Sequence, residues 1–254
     1  MPVIHATVAA SVEAAAQQLT DGVARALGGA GGTVFCLHDH VAGGPDVVAG
    51  LGAVRVLGAD VLAPFVLGGA ALGCDDIALL CDSVRAFPAP TPTADDPETV
   101  RLWGLRDWAL SHTLAGLGVD VGGWIGLAEG ADPHTEIDDG ASTHWAAWAV
   151  ELSQLSSLAF PQLHSPLRSG ARERRLDLAR GVTHALLRRD HLRAARLARW
   201  LALSAAEDRG AATEPAVRQV LAPALDHLDA IAVDQPRTLM EAALARCFLP
   251  EVVR

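Results

Sequence analysis

The pattern of apolar and polar residues predicts three short strands in the first third of the chain. Residues 3–10 and 33–38 are short runs with several β-branched residues, and residues 77–81 form an apolar run typical of a buried strand. Between the first two runs, Ser11 is a suitable N-cap, and apolar residues then recur at helical spacing as far as Gly28.

The chain is almost continuously apolar and rich in glycine from residue 46 to residue 73. This composition favours two short buried helices, interrupted near Gly58 and by Pro64. A doubly wound sheet would require further strands within the same stretch.

A proline-rich stretch at 88–97 separates this part from a helical remainder. Three prolines in its first five residues exclude a helix or a sheet interior. Asp96 and Pro97 at its end are typical of a helix start. Beyond them, the pattern predicts helices at 97–117, 141–159, 171–207, 214–232 and 236–248.

These elements predict an α+β fold that is predominantly α, with a small α/β N-terminal unit followed by a helical C-terminal unit. The predicted domains are residues 1–87 and 98–254, joined by the linker 88–97. A chain of 254 residues, half of them apolar, is long enough to bury a substantial core.

Composition excludes several kinds of chemistry. Lysine, tyrosine and asparagine are absent, and all twenty basic residues are arginine. The chain therefore has no Schiff-base lysine, no P-loop lysine and no tyrosine acid. Its preference for alanine, arginine, glycine, valine and leucine is typical of a GC-rich bacterial genome.

The pattern shows neither a signal segment nor a membrane span. The first basic residue is Arg25, so no charged segment precedes an apolar signal core. The four cysteines form no CxxC pair, which argues against a zinc knuckle or a dense disulfide framework. We therefore expect a cytoplasmic protein without membrane contact.

Cys36, His38 and His40 are the densest group of potential metal ligands in the chain. If this segment is extended, their side chains share one face, about 7 Å apart from neighbour to neighbour. Thiolate and imidazole suit zinc or iron. Asp46 is a further candidate ligand, and Asp39 is expected to orient an imidazole as part of the catalytic machinery. A purely structural role for both histidines is the alternative.

Five of the six tryptophans fall between positions 103 and 148. An apolar substrate pocket is predicted to be lined by Trp103, Trp108, Trp145 and Trp148. Asp107 and His112, which flank Trp108, are candidate catalytic residues in it. Core packing is the alternative explanation for this concentration of tryptophan.

Half of the arginines lie between Arg168 and Arg199, where only three acidic residues occur. This segment carries a formal charge of +7 and the remainder of the chain −17. Within it, a predicted anion-binding helical face consists of Arg180, His184, Arg188 and His191. An acidic protein is the partner class that fits. Nucleic acid fits poorly because aromatic residues are not interleaved, and a solvated face is the alternative.

Two functions follow from these features. The favoured hypothesis is a metal-dependent enzyme that acts on a small organic substrate by hydrolytic or oxygenase-type chemistry. The alternative is a non-catalytic helical interaction or regulatory protein that binds an acidic partner, or nucleic acid, through the arginine-rich helix.

Overall fold

The computed structural model describes residues 2–29, 35–91, 96–128, 130–136, 144–207 and 215–249. Side chains are described for these residues except 2–7, 136, 215–216 and 218. The chain divides into two compact units, here called the first unit, Met1–Ala131, and the second unit, Asp132–Arg254.

The first unit contains six α-helices in its described part, with a 3-10 helix, Gly58–Leu62, between the third and the fourth. In chain order these are α1 (Pro2–Leu27), α2 (Leu37–Ala42), α3 (Val47–Leu57), α4 (Ala63–Val66), α5 (Cys74–Ala86) and α6 (Pro97–Gly116). Helix α1 packs along α3, which in turn packs on α5.

The described part of the second unit is also helical, with a 3-10 helix at Ser156–Leu158. Its helices are α7 (Pro133–Glu136), α8 (Trp145–Gln154), α9 (Pro166–Glu173), α10 (Arg175–Leu187), α11 (His191–Ala206), α12 (Pro215–Ile231) and α13 (Pro236–Phe248). Helix α11 lies at the centre and packs against α10, α12 and α13.

The predicted α/β N-terminal unit is wrong, because the described residues contain no strand. The first predicted strand, 3–10, lies within α1. Of the second, 33–38, residues 33 and 34 lie outside the described residues, and α2 begins at Leu37. The fold is all-helical in every part of the chain that the structure describes.

The third predicted strand, 77–81, lies inside α5, and its sequence explains the error. Leu79, Leu80 and Val84 are buried together as one helical face, whereas Ala78 is exposed. A five-residue apolar run cannot distinguish a buried strand from the buried face of a helix. Packing against α3, a contact that exists only in the folded chain, makes this segment helical.

Several predicted helices are confirmed. Helix α6 begins as expected, with the Asp96 carboxylate accepting the Thr99 N–H at 3.1 Å and Pro97 in the first turn. Helix α13 matches 236–248, and the stretch 46–73 does form short buried helices with a break at Gly58. The predicted break at Pro64 is wrong, because Pro64 lies in the first turn of α4, where proline is tolerated. Residues 141–143 and 214, at two other predicted starts, lie outside the described residues.

The single predicted helix at 171–207 is wrong, because two breaks divide it. One lies at Arg174, between α9 and α10. The other lies at Arg189, whose φ of 57° is left-handed and ends the helical run. Asp190 then caps α11, accepting the Arg193 N–H at 3.2 Å.

The proline-rich stretch belongs, where it is described, to the first unit. Ala89 N–H donates to the Gly126 carbonyl at 2.8 Å, which ties the stretch to the loop after α6. The compact unit that contains this stretch continues to Ala131. A domain boundary at 88–97 stays a prediction.

One described stretch, Val47–Val66, is long and apolar enough to cross a membrane by length and composition, with a mean hydropathy of 1.6. In the structure, 78% of its apolar window is buried. Core helices of globular proteins pass the same test, so the location of the protein stays a prediction.

The second unit has an ion pair at the centre of its core. Arg199 and Glu241 are both buried, and Arg199 Nη1 donates to Glu241 Oε2 at 3.0 Å. Arg196 Nε and the Ser156 hydroxyl both donate to Glu241 Oε1, at 3.3 and 3.0 Å. Arg199 Nε also donates to the Ala159 carbonyl at 3.2 Å. These contacts join α11 and α13 to the turn after α8.

The surroundings of Glu241 hold its carboxyl in the charged form. Burial would raise the pKa of Glu241, but the charges of Arg199 and Arg196 and the hydrogen bonds from Arg199 and Ser156 together lower it below the ordinary value. Because its pKa is lowered, the charged carboxylate contributes to stability at pH values above the ordinary pKa of glutamate. That contribution is lost as pH falls through the lowered pKa.

We expect Glu241→Gln to lower the free energy of unfolding by about 3–5 kcal/mol near neutral pH, because it leaves buried arginine charge without its counter-ion. The matched control is Asp226→Asn, which removes an exposed partner of Arg246 and should cost about 1 kcal/mol or less. Urea unfolding followed by circular dichroism measures both. The loss in Glu241→Gln should shrink on acidification; equal stability of this variant and the wild type at neutral pH would contradict the assignment.

Candidate functional site

The predicted metal-binding segment is the start of a helix. Cys36 is the N-cap residue of α2, while His38 and His40 lie within it. Two residues along an α-helix are about 200° apart around its axis, so the two imidazoles diverge. The expectation that Cys36, His38 and His40 share one face is therefore wrong, since it required an extended backbone.

A buried carboxylate holds this segment in place. Asp76, in the first turn of α5, accepts the His38 N–H at 2.8 Å and the Cys36 thiol at 3.5 Å on one oxygen. Its other oxygen accepts the Gly73 N–H at 3.2 Å. Burial raises the pKa of the Cys36 thiol, and the charge of Asp76 raises it further. The thiol form, which binds metals weakly, is thus favoured at neutral pH.

The two histidines have different surroundings. His38 Nδ1 lies 3.6 Å from the Asp39 carboxylate; the His38 side chain is partly exposed and that of Asp39 largely exposed. His40 Nδ1–H donates to the Cys36 carbonyl at 2.8 Å, and its ring lies against Phe35 with centroids 4.9 Å apart. A carbonyl, rather than Asp39, therefore orients His40. Within the described residues, no group of three His, Cys, Asp or Glu side chains could hold a metal ion. The zinc or iron site stays a prediction.

The structure does bring His40 and Asp46 to one cavity. It has a volume of about 210 Å³ and lies between α1, the end of α2 and the start of α3. Its walls are mostly small apolar residues: Ala14, Ala15, Leu19, Val41, Gly44, Pro45, Ala49, Gly50 and Ala53. Its polar edge is formed by Ser11, Gln18, His40 and Asp46.

Two glycines let the walls of this cavity approach each other. A Cβ on Gly22 of α1 would lie 2.6 Å from Cδ2 and Nε2 of His40, and a Cβ on Gly50 of α3 would lie 2.6 Å from Val41 Cγ1. A larger residue at Gly22 would require the His40 ring to move, and one at Gly50 would clash with the Val41 side chain. The glycine-rich composition of this stretch therefore serves close packing around the cavity.

Asp46 lies at the rim as the N-cap residue of α3. One carboxylate oxygen accepts the Ala49 N–H at 3.1 Å, and no arginine of the described structure pairs with it. Sequence reasoning predicted Asp46 as a metal ligand but missed Ser11 and Gln18 as lining residues. The sequence predicts Ser11 as the N-cap of a helix, whereas α1 begins nine residues earlier, at Pro2.

The four tryptophans predicted to line one pocket belong to two different units. Trp103 and Trp108 belong to α6 of the first unit, whereas Trp145 and Trp148 belong to α8 of the second. Trp148 is buried under the Arg174 guanidinium, 4.3 Å from its ring centroid. The environment of Trp148 is that of a core residue, as the alternative explanation expected.

Asp107 and His112, the candidate catalytic pair on α6, have unlike environments. The buried Asp107 carboxylate receives a two-pronged contact from Arg55, with Nη2 to Oδ2 at 2.8 Å, and also accepts the Ala128 N–H at 2.8 Å. Arg55 itself donates to the Phe87 carbonyl and lies 4.6 Å from the Trp103 ring centroid. These contacts give Asp107 a structural role.

His112 is exposed and does not share the surroundings of Asp107. Its Nδ1–H donates to the Trp108 carbonyl at 2.9 Å, and its ring stacks on Trp108 with centroids 4.2 Å apart. Both contacts of His112 are therefore to Trp108, one turn earlier in α6.

Most arginines of the arginine-rich segment are engaged in ion pairs within the second unit. Carboxylates pair with at least six of its ten arginines: Arg168, Arg174, Arg180, Arg193, Arg196 and Arg199. Of these carboxylates, Glu207 and Glu241 come from outside the segment. The high formal charge therefore overstates what the surface presents.

The four predicted anion-binding residues do not lie on one continuous helix. Arg180 and His184 belong to α10, Arg188 lies beyond its end, and His191 begins α11. Arg180 donates to Asp177 at 3.0 Å, while His191 Nδ1 accepts from Gln235 Nε2 at 3.4 Å. The acidic partner stays a prediction, with weaker geometric support than the segment's charge suggests.

A larger and more open polar cleft of about 580 Å³ lies at the start of α9. Arg168, its most buried cation, contacts Glu207 and donates to the carbonyls of Pro161 and Leu163 at 2.6 and 2.7 Å. With its guanidinium engaged in this way, Arg168 offers little to an incoming anion. The cavity of the first unit, which is the less open of the two, is the better candidate site.

Comparison with protein-family models, with curated proteins and with solved structures finds no match to this chain.

We expect Asp107→Asn to lower the free energy of unfolding by about 3–5 kcal/mol, because it leaves the buried Arg55 charge without a full counter-ion. The control is Asp82→Asn, which removes an exposed partner of Arg85 and should have an effect of about 1 kcal/mol or less. Thermal and urea unfolding compare the two. A stable Asp107→Asn protein would show that the pair is not structural and would restore Asp107 as a catalytic candidate.

Proposed function

We propose that the first unit binds a small organic molecule in the cavity between α1, α2 and α3. The observation that carries this proposal is the cavity itself, which combines apolar walls with four polar lining residues. Small-molecule sites combine these two properties, because apolar contact supplies affinity and a few polar groups set orientation.

The size of the cavity limits the ligand. Its volume of about 210 Å³ is below the roughly 300–1,000 Å³ typical of sites for drug-sized ligands. A molecule with a single ring or a short branched chain is therefore the expected size. The buried walls, which include Leu19, Val41 and Ala53, would exclude water from its apolar part.

This proposal keeps one part of the sequence-based hypothesis, a small organic ligand, and moves it to other residues. The predicted substrate pocket used tryptophans, whereas the cavity is lined by alanine, glycine and single larger aliphatic residues. Whether the bound molecule also reacts, with or without a metal, stays a prediction. His40 and Asp46 are the titratable groups at the cavity from which such chemistry would start.

We expect Ala14→Leu to abolish or strongly weaken binding of small probes, because Ala14 is an exposed residue that lines the cavity and a larger side chain there fills its mouth. The measurement is saturation-transfer difference NMR with a panel of single-ring and short-chain alcohols, amides, acids and amines. Alanine and leucine have similar helix propensity, so α1 should be unaffected.

The matched control is Ala10→Leu, an exposed alanine one turn earlier in α1 that does not line the cavity. Probes that bind the wild type and Ala10→Leu equally, but not Ala14→Leu, would support the site. Absence of binding by every probe, or equal binding by all three proteins, would contradict the proposal.

A further inference from the structure

We infer that the ligand of this cavity is a small organic cation, an amine with an apolar body, whose ammonium group contacts Asp46. The inference rests on the proposed function and adds the chemical class of the ligand. Three features of the first unit carry it: the groups at the polar edge, the hydrogen bonding of Asp46 and His40, and the net charge of the unit.

The groups that line the cavity favour a hydrogen-bond donor with positive charge. Asp46 is the one lining residue among those described with a formal charge at neutral pH, and no arginine lines the cavity. Gln18 and Ser11 add neutral polar groups. An anionic ligand would meet the like charge of Asp46 without a cation to balance it.

Asp46 has room for a further partner. One of its oxygens caps α3 by accepting the Ala49 N–H, and no arginine of the described residues contacts the other. The N-terminus of α3 also attracts negative charge, but Asp46 already fills that position as its cap. An ammonium group at the second oxygen would form a charge-assisted hydrogen bond.

The hydrogen bonding of His40 agrees with a cationic ligand. Its Nδ1–H donates to the Cys36 carbonyl, so this N–H is not available to an anionic ligand.

The first unit as a whole is strongly acidic. It contains fourteen Asp and Glu residues and five arginines, a formal charge of −9, whereas the second unit carries −1. A negative field of this size raises the local concentration of small cations and lowers that of anions. The unit-wide charge thus acts in the same direction as Asp46.

Three probes of nearly equal shape test the ligand class: benzylamine, benzyl alcohol and benzoate, each titrated into the full chain at neutral pH and low salt. We expect benzylamine to bind most tightly and benzoate most weakly. Asp46→Asn should weaken benzylamine about tenfold and leave benzyl alcohol within about twofold, since a single charge-assisted contact is lost. Asparagine is as good an N-cap as aspartate, so α3 should keep its start.

The matched control is Asp96→Asn, which changes the N-cap of α6 without touching the cavity and should leave all three affinities unchanged. Salt dependence gives a second measurement that needs no variant. Raising sodium chloride to about 0.5 M should weaken benzylamine and not benzyl alcohol.

The outcomes separate the two proposals. If benzyl alcohol or benzoate binds as tightly as benzylamine, and Ala14→Leu abolishes that binding, the proposed cationic ligand class is wrong and the small-molecule site is supported. Benzylamine binding that is unchanged in Asp46→Asn and insensitive to salt would also contradict the proposed contact between a cationic ligand and Asp46. If none of the three probes, nor any of the wider panel, binds the wild type, both proposals fall.

Discussion

The buried carboxylate of Asp76 is the contact on which the candidate site depends. It accepts the His38 N–H and the Cys36 thiol from the start of α2 and the Gly73 N–H from the start of α5. One side chain thus satisfies donors at the beginning of two helices, where backbone N–H groups have no partner within the helix. Because α2 is held as a helix at this point, His40 lies against α1 and the cavity has its polar edge.

Two buried arginine–carboxylate pairs join helices within the two units. Arg55 with Asp107 joins α3 to α6, and Arg199 with Glu241 joins α11 to α13. In a chain without lysine, arginine supplies the planar, multiply donating group that such buried pairs require. Much of the charge that suggests catalysis or partner binding in the sequence is therefore structural in the fold. Asp46 differs from these residues because no arginine of the described structure neutralises it.

The cavity is a consequence of packing helices with very small side chains. Where Gly22 and Gly50 face larger residues, α1, α2 and α3 approach closely. Where alanines face the turn at Gly44 and Pro45, the side chains are too small to fill the space, and a gap of about 210 Å³ remains. A ligand that fills the cavity would gain dispersion contacts with its apolar walls. The cationic ligand that we propose would combine this contact with the charge of Asp46.

The sequence by itself determined the features that depend on neighbouring residues. The cap at Asp96, the start at Pro236, the end of α1 at Gly28 and the break at Gly58 all follow from local backbone preferences. Only the tertiary structure decided that 77–81 is helical, because a short apolar run adopts the conformation that its packing partner accepts. The same holds for the site. His40 and Asp46 were recognisable as chemical groups, but their common cavity depends on α1 packing against α3, a contact between residues far apart in the chain. The helical backbone around His38, set by Asp76 from 38 residues away, likewise separated ligands that an extended chain would have aligned.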